Sequence, residues 1–279
     1  MSAADRILDR AGLLAIGDAR LEYRIAGPLP ADAPTIVLLH EGLGSAGLWR
    51  DFPDALAAAT GLGVFAYSRA GYGASSPAPL PWGVRYMHDE ATRVLPRVLD
   101  AIGFRRGLLV GHSDGASIAA IHAGDVRDPR VAGSSLIAPH FVVEDVSLAA
   151  IAVARLAYQT GGLRDRLARW HRDVDNAFHG WNGAWLSPDF RTWDITDALA
   201  RIAVPIQIVQ GGKDEYGTIR QVEVARETAR GPVEVLLLDA AGHAPQRDAP
   251  AETLQAIARF CAGALDGRKM HVPGHDHAL

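Results

Sequence analysis

The feature that most constrains this chain is a series of short, continuously apolar runs, each followed by a polar loop or a helical stretch. TIVLLH (35–40), VFAYS (64–68), GLLVGHS (107–113), VAGSSLIAP (131–139), PIQIVQG (205–211) and VEVLLLD (233–239) all have strand length. Runs apolar on consecutive rather than alternate residues read as strands buried on both faces. Helices are expected between them at 53–60, 82–103, 114–124, near 218–229 and at 250–265, with Pro53 tolerated in a first turn. The longest, 82–103, should kink near Pro96 and stop at Gly103. LLAIG (13–17) and LEYRIAG (21–27) add a strand pair in front. Such alternation predicts an α/β class: a mostly parallel central sheet with helices on both faces.

Residues 141–203 interrupt the alternation. They read as mostly helical and hold Trp170, Trp181, Trp185 and Trp193, four of the six tryptophans. The expected organisation is a core of 1–140 and 204–266, a helical cap of 141–203 inserted after the sixth strand, and a flexible tail at 267–279. With 48% hydrophobic and 22% charged residues in 279, the chain has globular values that exclude wholesale disorder. A net charge of −4 offers no nucleic-acid footprint. Cys261 is the only cysteine, which excludes an intrachain disulfide and a multi-cysteine metal site. The opening MSAADRILDRAG carries charges where a secretory signal needs an apolar stretch, and no long uncharged apolar run occurs. A cytoplasmic protein that binds neither nucleic acid nor membrane is expected, with a small-molecule substrate as partner and a homodimer as an open alternative to a monomer.

Gly111-His112-Ser113-Asp114-Gly115 matches G-x-S-x-G, with an apolar strand running into Ser113 and a helix starting after it. A sharp strand-to-helix turn exposes the serine hydroxyl, and the flanking glycines let backbones pass without a Cβ clash. The Asp114 N–H, at a helix N-terminus, would face a developing oxyanion. A serine nucleophile needs a base, and the base an orienting acid. Asp214 follows the strand PIQIVQG, and His243 follows VEVLLLD. Both fall at the C-terminal ends of parallel strands, where such sheets place active sites. Glu215 is the rival acid.

With these residues the chain resembles the α/β-hydrolase superfamily over about residues 13 to 265, on the lidded serine esterase and C–C hydrolase branch. The resemblance rests on His40-Glu41-Gly42-Leu43-Gly44-Ser45, Arg69-Ala70-Gly71-Tyr72-Gly73, the serine motif and the Asp214 and His243 loops. It implies an α/β-hydrolase fold and a Ser113–His243–Asp214 triad without a metal or organic cofactor. The Gly42 and Asp114 amides would form the oxyanion hole. Ser113 argues against dehalogenases and epoxide hydrolases, which use aspartate there. Two departures stand out: Glu41, where the family usually has glycine, and Ser68, where relatives usually carry aspartate. Glu41 is expected to supply the missing carboxylate and pair with Arg69, or else to be a solvated loop residue. Asp114 either favours a polar or cationic acyl group, as in some amino-acid ester hydrolases, or points away from the pocket.

The substrate pocket is expected to draw on Glu41, His140, Phe141, Trp181 and Trp185. The leading reading is hydrolysis of carboxylic esters with small to medium acyl groups through an acyl-enzyme. The alternative is hydrolysis of a C–C bond in a diketone-type substrate on the same triad. Two remoter readings are a non-catalytic receptor and an NADP-dependent oxidoreductase. The latter arises because Gly42-Leu43-Gly44-Ser45-Ala46-Gly47 also matches G-x-G-x-x-G, with Ser68-Arg69 at the next strand end. Pro53 stands in the way of the helix that motif must open.

Overall fold

The computed structural model describes residues 8–267; the expected tail beyond Gly267 lies outside them. Eight strands form one sheet: β1 (Ala11–Ile16), β2 (Ala19–Ala26), β3 (Thr35–Leu39), β4 (Gly63–Tyr67), β5 (Gly107–His112), β6 (Val131–Ile137), β7 (Ile206–Gly211) and β8 (Val233–Leu238). Their order is β1-β2-β4-β3-β5-β6-β7-β8. β1 and β2 pair antiparallel, as do β2 and β4, and every pairing from β4 to β8 is parallel. This is the α/β-hydrolase fold.

The apolar runs are continuous because both faces of the sheet are covered. Val37, Leu39, Phe65, Tyr67 and Leu109 pack on one face, under helices Leu95–Ala101 and Asp114–Ile121. Ile36, Leu38, Val64, Ala66, Leu108 and Val110 pack on the other, with residues of helices Phe52–Thr60 and Pro250–Asp266. Each such side chain contributes about 1.5–3 kcal/mol by leaving water. The register then places the functional loops. Leu39 lies opposite both Tyr67 and Gly111, His112 opposite Ile137, and Gly211 opposite Leu238. The C-terminal ends of β3, β5, β6, β7 and β8 therefore open onto one edge.

One local feature departs from expectation and another agrees with it. The helix expected at 82–103 begins only at Tyr86, and a π-type turn at Glu90–Val94 precedes the segment Leu95–Ala101. Pro96 has no N–H to give, and the widened turn before it accommodates that loss. The G-x-G-x-x-G stretch opens no regular helix: a short 3-10 turn, Gly47–Trp49, follows it, and the α-helix starts at Phe52. The geometry that a dinucleotide pyrophosphate requires is absent there.

Between β6 and β7 lie helices Asp145–Gln159, Gly162–Leu167, Val174–Trp185 and Thr196–Leu199. The segment leaves and re-enters the core at one place, where Val142 bridges Asp194 and the Ile195 amide donates to the Phe141 carbonyl at 2.9 Å. Asn176 ties it to the loop after β4 by a pair of hydrogen bonds with the Ala78 backbone, 3.0 and 2.8 Å long.

Candidate active site

Ser113 sits at the turn between β5 and helix Asp114–Ile121 with φ 53 and ψ −117. A non-glycine residue there is strained by roughly 1–3 kcal/mol and persists only where its surroundings hold it. They do: the Ser113 amide donates to the Ile137 carbonyl at 2.9 Å, and its carbonyl accepts from Ala116 and Ser117 at 2.9 and 3.1 Å. The glycines of the motif are there for contact. A Cβ on Gly115 would lie 2.0 Å from the Leu39 carbonyl oxygen, and one on Gly111 would lie 2.2 Å from that of Gly115.

Asp214 and His243 meet across the ends of β7 and β8. His243 Nδ1 lies 2.8 and 3.0 Å from the two Asp214 oxygens. The carboxylate also accepts from the Tyr216 and Gly217 amides at 2.8 and 3.1 Å and from Gln210 Nε2 at 2.9 Å. Burial opposes its charge, but these donors, His243 foremost, hold it below the usual carboxylate range. Glu215 is turned elsewhere, accepting from the His243 amide at 3.3 Å. Ser113 and His243 line the same cavity of about 360 Å³. Their side chains are not hydrogen-bonded in this structure, a contact that often tightens only with substrate.

Gly42 follows β3 on the opposite wall. Its amide and that of Asp114 make no backbone hydrogen bond, the second because a helix leaves its first N–H groups unpaired. Arg69 holds this loop by its carbonyls, donating to those of His40 at 2.5 Å and Glu41 at 3.1 Å. His40 braces it further, with Nδ1–H donating to the Glu41 carbonyl and Nε2 accepting from the Arg69 amide.

Arg69 therefore does not pair with the Glu41 carboxylate, contrary to the sequence-based expectation. Its guanidinium is engaged by two carbonyls and lies over the Tyr72 ring, 4.9 Å from the centroid. The Glu41 carboxylate points the other way, 3.4 Å from the Arg247 guanidinium and 3.4 Å from His112 Nδ1. Burial disfavours its charge, but His112 and then Arg247 outweigh burial and bring its pKa well below normal. His112 in turn donates from Nε2 to the His243 carbonyl at 2.7 Å, and its Nδ1 lies 3.1 Å from Gln246 Nε2. Residues adjacent to Gly42 and Ser113 are thus tied to each other and to the His243 loop. At Ser68, the carboxylate usual in relatives comes from another strand: Ser68 Oγ donates to Glu22 of β2 at 2.6 Å and accepts from the Ala46 amide.

The Asp114 side chain is fully buried and accepts hydrogen bonds from Tyr86 Oη and from Trp185 Nε1, the latter at 3.2 Å. Burial raises its pKa despite Arg69 and these donors. Its oxygens are occupied by protein donors, although the residue also lines the cavity beside Ser113. Of the expected pocket residues, Glu41, His140, Trp181 and Trp185 line the cavity. Phe141 does not: its ring is fully buried in the core, and its amide donates to Gln221 Oε1 at 2.7 Å. Ile151, Tyr216 and Arg247 also line the cavity, and nothing in their sequence context singled them out. Among the described residues no cluster of three or more His, Cys, Asp or Glu could hold a metal, and no helix is long and apolar enough to cross a membrane.

Comparison with known proteins bears on the family and the fold. The alpha/beta hydrolase family matches residues 36–256. Epoxide hydrolase A of Mycobacterium tuberculosis is 27% identical over 83% of this chain and 91% of its own length. A membrane phospholipase A described as a bacterial virulence factor superposes with a TM-score of 0.75 at 22% identity, covering 92% of this chain and 86% of its own. The enol-lactonase from Burkholderia xenovorans LB400 superposes at 0.69 and 20% identity, over 91% of this chain and 100% of its own. At such identities the two structural likenesses speak for the fold alone.

Proposed function

From the chain's membership of the alpha/beta hydrolase family, we propose that it is a serine hydrolase of carboxylic esters with small to medium acyl groups. The observation that carries this reading is that His243, 2.8 Å from Asp214, lines the same cavity as a serine held at φ 53. In the proposed reaction His243 takes the Ser113 proton as the oxygen attacks the ester carbonyl. Asp214 holds the tautomer with hydrogen on Nδ1 and stabilises the imidazolium that forms. The amides of Gly42 and Asp114 receive the oxyanion, each worth on the order of 10²–10³ in rate. The alkoxide leaves with the proton from His243, and water repeats the sequence on the acyl-enzyme. Residues 141–203 act as a cap, with Trp181, Trp185 and Ile151 over the serine.

Chemistry separates this reading from the epoxide hydrolase relative. Serine attack on an epoxide carbon would leave an alkyl ether, with no carbonyl for water to attack. A carboxylate nucleophile avoids that dead end, and this chain has Ser113 at the elbow. Hydrolysis of p-nitrophenyl acetate and butyrate by wild type and Ser113→Ala, with organophosphate labelling, tests the proposal. Wild type should turn over and label at Ser113, and the variant should lose on the order of 10⁴-fold or more. A wild type that neither labels nor turns over would refute ester hydrolysis and move C–C cleavage forward.

A further inference from the structure

The proposed triad uses one imidazole, and the cavity contains a second with no assigned partner. His140 follows β6 beyond a bend at Ala138, whose φ is 46. Its side chain is 2% exposed and lines the catalytic cavity. The ring centroid lies 5.7 Å from that of His243 and 5.1 Å from Trp185, which it meets edge to face. Ser117, one helical turn beyond Ser113, donates to the His140 carbonyl at 2.6 Å. The ring is thus fixed relative to the nucleophile.

Its two nitrogens are not equivalent. Nδ1 is sealed from solvent and has no hydrogen-bond partner. That leaves Nε2 as the nitrogen able to face the cavity the ring lines. A sealed N–H without an acceptor is rarer than a sealed bare lone pair, so the proton belongs on Nε2. Burial, and then the neighbouring His243, hold the ring well below the usual histidine range, so it remains neutral. The result is a rigid, uncharged N–H donor. It lies at the closed end of the cavity with fully buried Trp185, whereas Arg247 and Asp248 line the solvent side. In the proposed reaction the alcohol would leave by the exposed side lined by Arg247 and Asp248, with the acyl group held on Ser113 toward the buried side. An uncharged donor also suits an uncharged acceptor, since a carboxylate would be buried there without a cation.

We propose that His140 is a specificity-determining residue whose Nε2–H binds a neutral oxygen on the acyl portion of the substrate. The preferred substrates are then esters of oxo-, hydroxy- or alkoxy-acids rather than plain alkanoates. This rests on Ser113 acting as an ester-cleaving nucleophile.

The test compares p-nitrophenyl methoxyacetate with p-nitrophenyl butyrate, in which a methylene replaces the ether oxygen. The readout is the ratio of their kcat/KM values, each divided by its own hydroxide-catalysed rate. Wild type should favour methoxyacetate by about tenfold, the scale of one hydrogen bond. His140→Phe should bring the ratio near one, and His140→Gln, which keeps a donor, should restore part of it. Loss of packing alone would lower both rates and leave the ratio in place. A wild-type ratio near one, or a ratio retained in His140→Phe, overturns the proposal while the ester-hydrolase reading stands. If His140→Phe fails to fold, the wild-type ratio and that of His140→Gln decide. Absence of turnover on both esters, with no labelling of Ser113, overturns both readings together.

Discussion

Adding one methyl group at Gly42 measures how closely the proposed oxyanion loop is fitted against the helix above it. A Cβ at this position would lie 2.0 Å from Trp181 Nε1, 2.4 Å from its Cδ1 and 2.8 Å from its Cε2. Non-bonded heavy atoms rest at about 3.5 Å or more, so something must give by roughly 1.5 Å. Trp181 has little room: it is 6% exposed and packs edge-on against Phe178. The loop is equally constrained, because Arg69 and His40 hold the carbonyls just before Gly42. Displacing an oxyanion donor by about 1 Å costs on the order of 10²-fold in kcat, and overpacking of this kind costs about 1–3 kcal/mol of stability. Steady-state kinetics on p-nitrophenyl butyrate and thermal melts of Gly42→Ala should show both losses. Repeating the substitution in a Trp181→Ala background removes the obstructing ring, and there the added methyl should cost less than about threefold. A Gly42→Ala variant within about threefold of wild type would refute the reasoning, as would a loss of the same size with Trp181 gone.

Two further substitutions separate neighbouring acids by role. Asp214→Asn should lower kcat by about 10⁴ through the wrong imidazole tautomer, whereas Glu215→Gln, altering a contact to the His243 backbone, should stay within about tenfold; equal losses in kcat measurements would reverse the assignment. Asp214 also links stability to pH. Its folded pKa is depressed, so its contribution is complete above the unfolded value of about 3.9 and is lost as pH falls through the lower folded one. Urea melts from pH 6 down to pH 2 should therefore show a shallower acid limb in Asp214→Asn than in wild type. Asp114→Ala leaves Tyr86 Oη without its buried acceptor, while Trp185 Nε1 keeps Tyr86 Oη at 3.0 Å, and should cost about 1–3 kcal/mol for the orphaned hydroxyl in denaturant melts. Asp114→Asn should leave the relative turnover of amino and neutral esters unchanged, and a shift in that ratio would return the carboxylate to the substrate.

The contacts in the Glu41 region illustrate why some residues resist reading from sequence. Glu41 was visible as a residue out of place, and Arg69 as a nearby cation, but proximity along two strand ends does not say which way a side chain turns. Arg69 binds the backbone of the loop that carries Glu41, and the carboxylate finds Arg247, 206 positions away in sequence. The same holds for Ser68 and Glu22, for Tyr86 beneath Asp114, and for Phe141, which shares a short segment with His140 yet faces the core.

What the sequence determined by itself was everything carried by local pattern. Continuous apolar runs specify strands buried on both faces, and turn chemistry at Gly111–Gly115 specifies a serine at a sharp strand-to-helix turn. Chain order places an acid and a histidine at the ends of β7 and β8. These follow from periodicity, from glycine where a Cβ has no room, and from the connection rules of parallel sheets. The tertiary structure alone decided the contacts between loops: which donors surround Asp214, where Glu41 points, and which side chains of the segment between β6 and β7 reach the cavity. It also decided that one nitrogen of His140 is sealed while the ring lines the cavity that Ser113 lines. Those outcomes depend on side-chain direction and burial across segments far apart in the chain, set only when the whole core packs.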